Sequence, residues 1–164
     1  MKINYNIKVL IPAAGKGSRS NLSYPKTLFK VVKKPILVRI INKIKHIDNV
    51  PIIIVSKNGK KLIQNSLSSN NLNFELLEQN IPNGMGDAIL KVINSKFYKK
   101  MENILVIWGD LPFLTKKTIN TLIEEHFKNN YDFTFPTLKQ KNPYTYLKKD
   151  KKGNILELIE TREL

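Results

Sequence analysis

Residues 8–26 read KVLIPAAGKGSRSNLSYPK, a short apolar run that leads directly into a loop with two glycines and three basic residues. Arginine is scarce, since only three of the 28 basic residues in the chain are arginine, yet one of them lies in this loop. A buried strand followed at once by a glycine-rich loop is typical of the strand-to-helix junctions of parallel sheets. The stretch therefore predicts an α/β fold with a binding site at this junction.

The rest of the chain continues the alternation of strands and helices. We predict strands at Ile7–Pro12, Pro51–Val55, Phe74–Leu77 and Asn103–Trp108, and helices at Pro35–His46, Asn58–Leu67, Met85–Ile93 and Thr115–Phe127. Beyond residue 130 the pattern changes to three further predicted strands, at 131–138, 143–149 and 154–160. This order indicates a mainly parallel sheet covered by helices on both faces, with an added antiparallel or mixed section after it.

Length and composition restrict the classes of protein. A chain of 164 residues favours one domain with a core of its own. Because it contains no cysteine, disulfides, thiolate metal sites and a cysteine nucleophile are excluded, and a reducing cytoplasm fits. The first residues, with a single lysine before a short apolar run, are unlike a signal peptide or a membrane span, so we expect no membrane association.

The formal net charge of +15 ordinarily suggests nucleic acid or an anionic membrane surface as a partner. Here the lysine pairs are scattered, and no aromatic side chains interleave with them to form a stacking platform. Lysine, asparagine and isoleucine also share AT-rich codons, so genome composition accounts for much of the charge. We therefore favour a solvated surface over a nucleic-acid interface.

Glycines are concentrated at the ends of the predicted strands. Five of the seven lie in three short segments, at positions 15 and 17, 84 and 86, and 109. The carboxyl ends of parallel strands meet at one edge of a sheet, so these junctions converge on one crevice. We predict a polyphosphate site here, formed by the backbone amides around Gly15 and Gly17 and by the positive side chains of Lys16, Arg19 and Lys26. The alternative is a flexible surface turn.

Two common phosphate-binding motifs do not explain this loop. GxxxxGK[ST] is absent, and GxGxxG is incomplete because Ser20 stands where its third glycine belongs. Instead, residues 10–37, LIPAAGKGSRSNLSYPKTLFKVVKKPIL, resemble the opening motif of the sugar-1-phosphate nucleotidyltransferases, in particular the N-acetylglucosamine-1-phosphate uridylyltransferase branch. That motif is A-A-G-x-G-[TS]-R with a Pro-Lys pair whose lysine lies seven residues after the arginine, as Arg19 and Pro25-Lys26 do here.

Later segments carry the same resemblance. Residues 79–88, QNIPNGMGDA, are similar to the family's Q-x4-G-[TL]-[GA]-x-A, with Met85 and Asp87 where the uridylyltransferases more often have Thr and His. Residues 106–112, VIWGDLP, resemble its Y-G-D-x-P. The stretches PYT at 143–145 and LIE at 158–160 resemble its sugar-contacting Gly-Tyr-Gly and Ile-Val-Glu, with Thr145 in place of a glycine.

The resemblance implies a Rossmann-like three-layer α/β/α nucleotidyltransferase fold, GT-A-like, with a mainly parallel sheet and an antiparallel or mixed C-terminal section. It implies a single nucleotidyltransferase domain over residues 1–164, C-terminally short relative to the family. By the same resemblance, Arg19 and Lys26 are catalytic, Asp110 binds Mg²⁺, and Thr145 and Glu160 contact the acceptor. The nucleotide-binding positions are Ala13, Ala14, Gly15, Lys16, Gly17, Gln79, Gly84 and Gly109.

Two of these roles have plain alternatives. Gln79, whose amide both donates and accepts and therefore suits a pyrimidine edge, can equally be an exposed side chain before a Pro-Gly turn. Asp110, whose carboxylate suits Mg²⁺ beside a triphosphate, can equally begin a structural turn. The spacing to Gly84 and Gly109, respectively, favours the functional interpretation.

The implied reaction joins a nucleoside triphosphate to a sugar-1-phosphate, forming a nucleoside-diphosphate sugar (UDP-sugar above all) and releasing pyrophosphate. One alternative is a cytidylyltransferase that activates an alcohol phosphate such as phosphocholine, and another is a non-catalytic nucleotide- or anion-binding regulatory domain. Because the family continues beyond the Ile-Val-Glu stretch, we expect the acceptor half of the site to be incomplete and the isolated chain to be a weakly active transferase that binds nucleotide better than it turns it over. A homo-oligomer or a completing partner chain would then supply the rest.

Overall fold

The computed structural model describes residues 5–15, 21–81, 84–98 and 101–160. The chain divides into two compact units, Met1–Ile119 and Asn120–Leu164, which are described separately below. None of the helices in the described ranges is long and apolar enough to cross a membrane.

The first unit is built on a parallel sheet of four strands. These are β1 (Ile7–Pro12), β4 (Ile52–Ser56), β5 (Glu75–Gln79) and β6 (Asn103–Val106), arranged in the order β5-β4-β1-β6. Leu10 of β1 lies opposite Ile52 on one side and Val106 on the other. A two-stranded antiparallel ribbon, β2 (Lys30–Val31) with β3 (Lys34–Pro35), leads into the first helix.

The described residues form four α-helices: α1 (Ile36–Ile44), α2 (Lys57–Ser68), α3 (Gly84–Ile93) and α4 (Lys116–Lys128). Pro35, predicted to lie in the first turn of this helix, is the N-cap residue immediately before α1, and the apolar side of α1 is buried. The Ser56 hydroxyl caps α2 by accepting a hydrogen bond from the backbone N–H of Gly59 at 3.2 Å. Helices α1, α2 and α3 thus connect successive strands of the sheet.

Both faces of the sheet are covered. The connections from β1 to β4 and from β4 to β5 run in one direction across the sheet, and the connection from β5 to β6 runs back. Because such crossovers are almost always right-handed, α1 and α2 lie on one face and α3 on the other. A buried cluster on the α3 face agrees with this, since it joins the sheet residues Leu10, Ile52 and Ile54 to Ala88 and Val92 of α3.

The predicted elements of this unit are confirmed to within about two residues at each end. The first strand is the one predicted, Ile7–Pro12, whereas β6 ends at Val106 instead of Trp108. Ile107 still donates its backbone N–H to the Leu10 carbonyl at 3.0 Å, but Trp108 turns outward and is 54% exposed. The predicted α/β fold with a central parallel sheet is thereby confirmed.

The second unit contains an antiparallel hairpin of β7 (Thr145–Lys149) and β8 (Ile155–Glu160). The Asp150 carboxylate closes its turn by accepting from the backbone N–H groups of Lys152 and Asn154, both at 2.8 Å. The side-chain hydrogen bond from Asn154 and these backbone bonds lower the pKa of Asp150 below its usual value. The added C-terminal section is therefore antiparallel.

The prediction of a strand at 131–138 is wrong. Those residues, all of which are described, form no regular secondary structure. A strand is held by hydrogen bonds to a neighbouring strand, and Pro136 has no backbone N–H with which to donate one. Phe133 and Leu138 are 77% and 78% exposed, so this segment packs too little apolar surface to be held as a strand.

Candidate active site

The strand order places the candidate site between β1 and β6. From β1 the chain proceeds toward β4 and β5, whereas β6 is added on the opposite side. In open parallel sheets, ligands bind where the order reverses in this way, outside the carboxyl ends of the two strands. Here the two ends are joined directly, because the backbone N–H of Gly109 donates to the Pro12 carbonyl at 3.2 Å.

Lys26 and Asp110 meet at this point. The Nζ atom of Lys26 lies 3.0 Å from Oδ2 of Asp110, although 84 positions separate them in the sequence. The two side chains are 53% and 37% exposed, so a ligand can reach both. An exposed ion pair of this kind stabilises the fold by only about 0–1 kcal/mol, so phosphate or metal ligands can replace it at little cost.

Lys26 is held in place by its neighbours. It opens a short 3-10 turn, Lys26–Leu28, in which the backbone N–H of Leu28 donates to the Pro25 carbonyl at 2.8 Å. Pro25 packs on the start of α2, where a Cβ added at Gly59 would lie 3.0 Å from the proline Cγ. In the Pro-Lys pair, Pro25 thus packs the turn against α2, and the side chain of Lys26 faces the crevice.

Gly109 fits this site because it has no side chain. A Cβ at this position would lie 2.9 Å from the Thr27 Cγ2 and 3.0 Å from the Pro12 oxygen. Thr27 itself is 6% exposed, and its hydroxyl oxygen has no hydrogen-bond partner among the described residues. Sequence reasoning overlooked Thr27, because nothing in its neighbourhood distinguishes it from an ordinary loop threonine.

The first junction is described only in part. Ala13 and Ala14 are buried, and the backbone N–H of Ala13 donates to the Ile54 carbonyl at 2.7 Å. Gly15 is exposed, and a Cβ added there would meet no atom of the described residues within 4 Å. The predicted site residues Lys16, Gly17 and Arg19 lie outside the described residues.

Gln79 occupies the last position of β5 and is 2% exposed, which excludes the alternative of a solvated glutamine before a turn. Its Nε2 donates to Oδ2 of Asp87 at 2.5 Å. Gly84, at the start of α3, has φ of +90°, a backbone conformation that residues other than glycine rarely adopt. Sequence reasoning noted Asp87 only as a departure from a motif and missed its bond to Gln79.

The two predicted acceptor residues belong to the second unit. Thr145 and Glu160 lie opposite one another in the ladder between β7 and β8. The structure therefore brings Lys26 together with Asp110, and Thr145 together with Glu160.

The described residues offer one exposed carboxylate, that of Asp110, as a possible ligand for a magnesium ion. No group of three or more His, Cys, Asp or Glu side chains in the described ranges could form a metal cage. Mg²⁺ in nucleotide sites is bound by one or two carboxylates together with phosphate oxygens and waters, so the single partly exposed carboxylate of Asp110 is a suitable ligand.

Comparison with known proteins identifies the family. The model of the MobA-like NTP transferase domain matches residues 9–164. The chain belongs to this family. The resemblance to nucleotidyltransferases found in the sequence is confirmed, and the three strand-end junctions described above all lie within the MobA-like NTP transferase domain.

Curated relatives of this MobA-like domain include two proteins named bifunctional protein GlmU. That of Buchnera aphidicola subsp. Schizaphis graminum is 35% identical over 158 residues, which cover 96% of this chain and 33% of that protein. That of Thermosipho melanesiensis is 33% identical over 155 residues, 92% of this chain and 32% of the relative. The chain thus spans about a third of the length of these relatives.

Solved structures share the fold at lower identity. A Bacillus anthracis protein described as a candidate glucose-1-phosphate thymidylyltransferase superposes with a TM-score of 0.65 at 19% identity, over 96% of this chain and 65% of that one. The 4-diphosphocytidyl-2C-methyl-D-erythritol synthase of Anaerococcus prevotii superposes with a TM-score of 0.63 at 15% identity, over 93% and 63%.

Proposed function

We propose that the protein is a nucleotidyltransferase that joins a nucleoside triphosphate to a sugar-1-phosphate, with release of pyrophosphate and a UDP-sugar as the favoured product. The observation that carries the proposal is the pair of Lys26 and Asp110 at the reversal point of the sheet, 3.0 Å apart and both accessible. A cation and a carboxylate at that position are the groups a metal-bound triphosphate requires. Because the reaction consumes a nucleoside triphosphate, we place it in the cytoplasm.

In the proposed reaction, a phosphate oxygen of the sugar-1-phosphate attacks the α-phosphorus in line. The bond from that phosphorus to the oxygen bridging toward the β-phosphate breaks, and pyrophosphate leaves with that oxygen. No side chain acts as a nucleophile, so the protein contributes position and charge. Lys26 faces the crevice and neutralises charge that builds on the α-phosphate, while Arg19, with Lys16 and the amides around Gly15 and Gly17, holds the β- and γ-phosphates.

Asp110 is the residue proposed to hold Mg²⁺. When bound, the ion would supply positive charge to the phosphate oxygens of both reactants. With phosphates present, Lys26 gives up its bond to the Asp110 carboxylate and donates to phosphate oxygens instead. Both groups are more than one third exposed, so this exchange requires no rearrangement of the core.

The remaining predicted roles concern the base and the acceptor. Gln79, with Gly84 beside it at the start of α3, is proposed to contact the base. Thr145 and Glu160, paired across the β7–β8 hairpin, are proposed to contact the sugar phosphate.

The experiment follows pyrophosphate release with Mg²⁺, each of the four ribonucleoside triphosphates and dTTP, against sugar-1-phosphates and alcohol phosphates. Lys26→Ala should reduce turnover by about 10²-fold, as the loss of other preorganised charge stabilisers does. Lys30→Ala is the matched control, because Lys30 is an exposed lysine four positions later on β2. Equal activity of the two variants would remove Lys26 from the mechanism.

Two outcomes would favour the alternatives. Turnover only with CTP and an alcohol phosphate would make the protein a cytidylyltransferase of that class. Calorimetric binding of Mg-triphosphate, with no release of pyrophosphate from it in the presence of any acceptor, would support a non-catalytic nucleotide-binding role.

A further inference from the structure

A hydrogen bond that the proposed mechanism does not use fixes the side chain of Gln79. The amide lies at the carboxyl end of β5 and is 2% exposed, and its Nε2 donates to Asp87 at 2.5 Å. Asp87 lies in the first turn of α3, the helix that follows β5 in the chain. The bond therefore ties the end of a strand to the helix that begins beside it.

The chemistry of this pair allows only one orientation of the amide. A glutamine amide is nearly symmetric in shape, so a free one can rotate by half a turn and exchange its donor and its acceptor. A carboxylate only accepts hydrogen bonds. The opposite orientation would bring the glutamine oxygen against the Asp87 oxygen, leaving two acceptors facing each other in a partly buried position, which is costly.

We propose that Asp87 is a positioning residue that fixes the order of donor and acceptor on Gln79 and thereby sets which base the site prefers. The proposal rests on the proposed function, in which Gln79 contacts the base. An imide edge has an N–H beside a carbonyl, whereas an aminopyrimidine edge has an amino group beside a ring nitrogen. Because donor and acceptor occupy different ring positions on the two edges, an amide of fixed orientation matches one of them better.

The test compares the dissociation constants of UTP and CTP, measured by calorimetry with Mg²⁺ on the full chain. Asp87→Asn keeps the shape of the side chain but can either accept from or donate to Gln79, so both amide orientations become available. The preference between the two nucleotides should fall about five- to tenfold, the effect of one ordinary hydrogen bond between neutral groups. Lys91→Ala, one turn further along α3 and exposed, is the control and should keep the wild-type preference.

A double-mutant cycle separates positioning from a merely structural role. If Asp87 acts through the amide, Asp87→Asn will have no further effect on the preference once Gln79→Ala is present. An unchanged preference in Asp87→Asn, an equal effect in both backgrounds, or a parallel loss of affinity for both nucleotides would each overturn the proposal. Melting temperatures of all variants check that the fold is retained.

Failure of the two proposals can be told apart. A wild-type chain that discriminates between the nucleotides but releases no pyrophosphate would contradict the transferase function and leave the role of Asp87 in place. A chain that binds nucleotides without any preference, or binds none, would overturn the role of Asp87.

Discussion

The Gly109→Ala substitution tests whether β1 and β6 meet at the site as closely as described. The added methyl carbon would lie 2.9 Å from a methyl carbon of the buried Thr27 and 3.0 Å from the Pro12 oxygen. The threonine methyl can shift slightly, but the Pro12 oxygen belongs to a central strand and accepts the hydrogen bond of Gly109 itself. Overpacking against backbone in a core typically costs 1–3 kcal/mol, so we expect the free energy of unfolding to fall by about 2 kcal/mol.

The matched control is Gly86→Ala. Within the part of the chain that the structure describes, a Cβ added at Gly86 would meet no atom within 4 Å, and the residue lies inside α3. Alanine is a better helix former than glycine, so this change should raise the free energy of unfolding by about 0.5–1 kcal/mol. The two substitutions are chemically identical and should have opposite signs.

Urea denaturation followed by circular dichroism gives both values, and thermal melting provides an independent check. A loss of about 2 kcal/mol corresponds to a drop of about 4–8 °C in Tm for a protein of this size. The reasoning would be refuted if Gly109→Ala were as stable as the wild type, or if both alanines were destabilising to the same extent.

Two other substitutions test how the strand ends are fixed. Both carboxylate oxygens of Asp48 accept hydrogen bonds from backbone N–H groups, from Val9 at 2.9 Å and from Val50 at 3.0 Å. An amide can accept at only one of its two ends, so Asp48→Asn should lower the free energy of unfolding by about 1–3 kcal/mol in urea titrations. An unchanged free energy of unfolding would disprove the double role of Asp48. Lys43 donates to the Pro112 carbonyl at 3.2 Å, and burial, with the nearby Arg39 guanidinium, lowers its pKa. The unfolded chain then binds this proton more tightly, so stability should rise as the pH approaches the ordinary lysine value of 10.5, and Lys43→Met should remove that rise from the pH profile.

Local patterns were sufficient to predict the sheet. The first strand has a continuous apolar run ended by the alanines and glycine of the loop, and its bounds agree with the prediction, Ile7–Pro12. The segment around Phe133 and Phe135 shows why such patterns can also mislead. Its alternating aromatics resemble a strand, but a strand forms only if another pairs with it, and local sequence does not reveal a partner.

The candidate site was predictable wherever topology alone decides proximity. Lys26 and Asp110 are 84 positions apart, yet both follow strands whose carboxyl ends must meet in a parallel sheet. The bond between Gln79 and Asp87 depends on side-chain rotamers and on burial, which the order of elements does not determine. The close packing of Thr27 on Gly109 was missed for the same reason.

The fate of labelled phosphorus tests the central claim most directly. With wild-type chain, Mg²⁺ and an accepted pair of substrates, label on the α-phosphorus should appear in a nucleoside-diphosphate sugar, and label on the γ-phosphorus should appear only in pyrophosphate. Lys26→Ala should slow the appearance of both labelled products equally, because one bond-breaking step yields both. Release of γ-label as inorganic phosphate, or its transfer to the acceptor, would contradict attack at the α-phosphorus and with it the proposed nucleotidyl transfer.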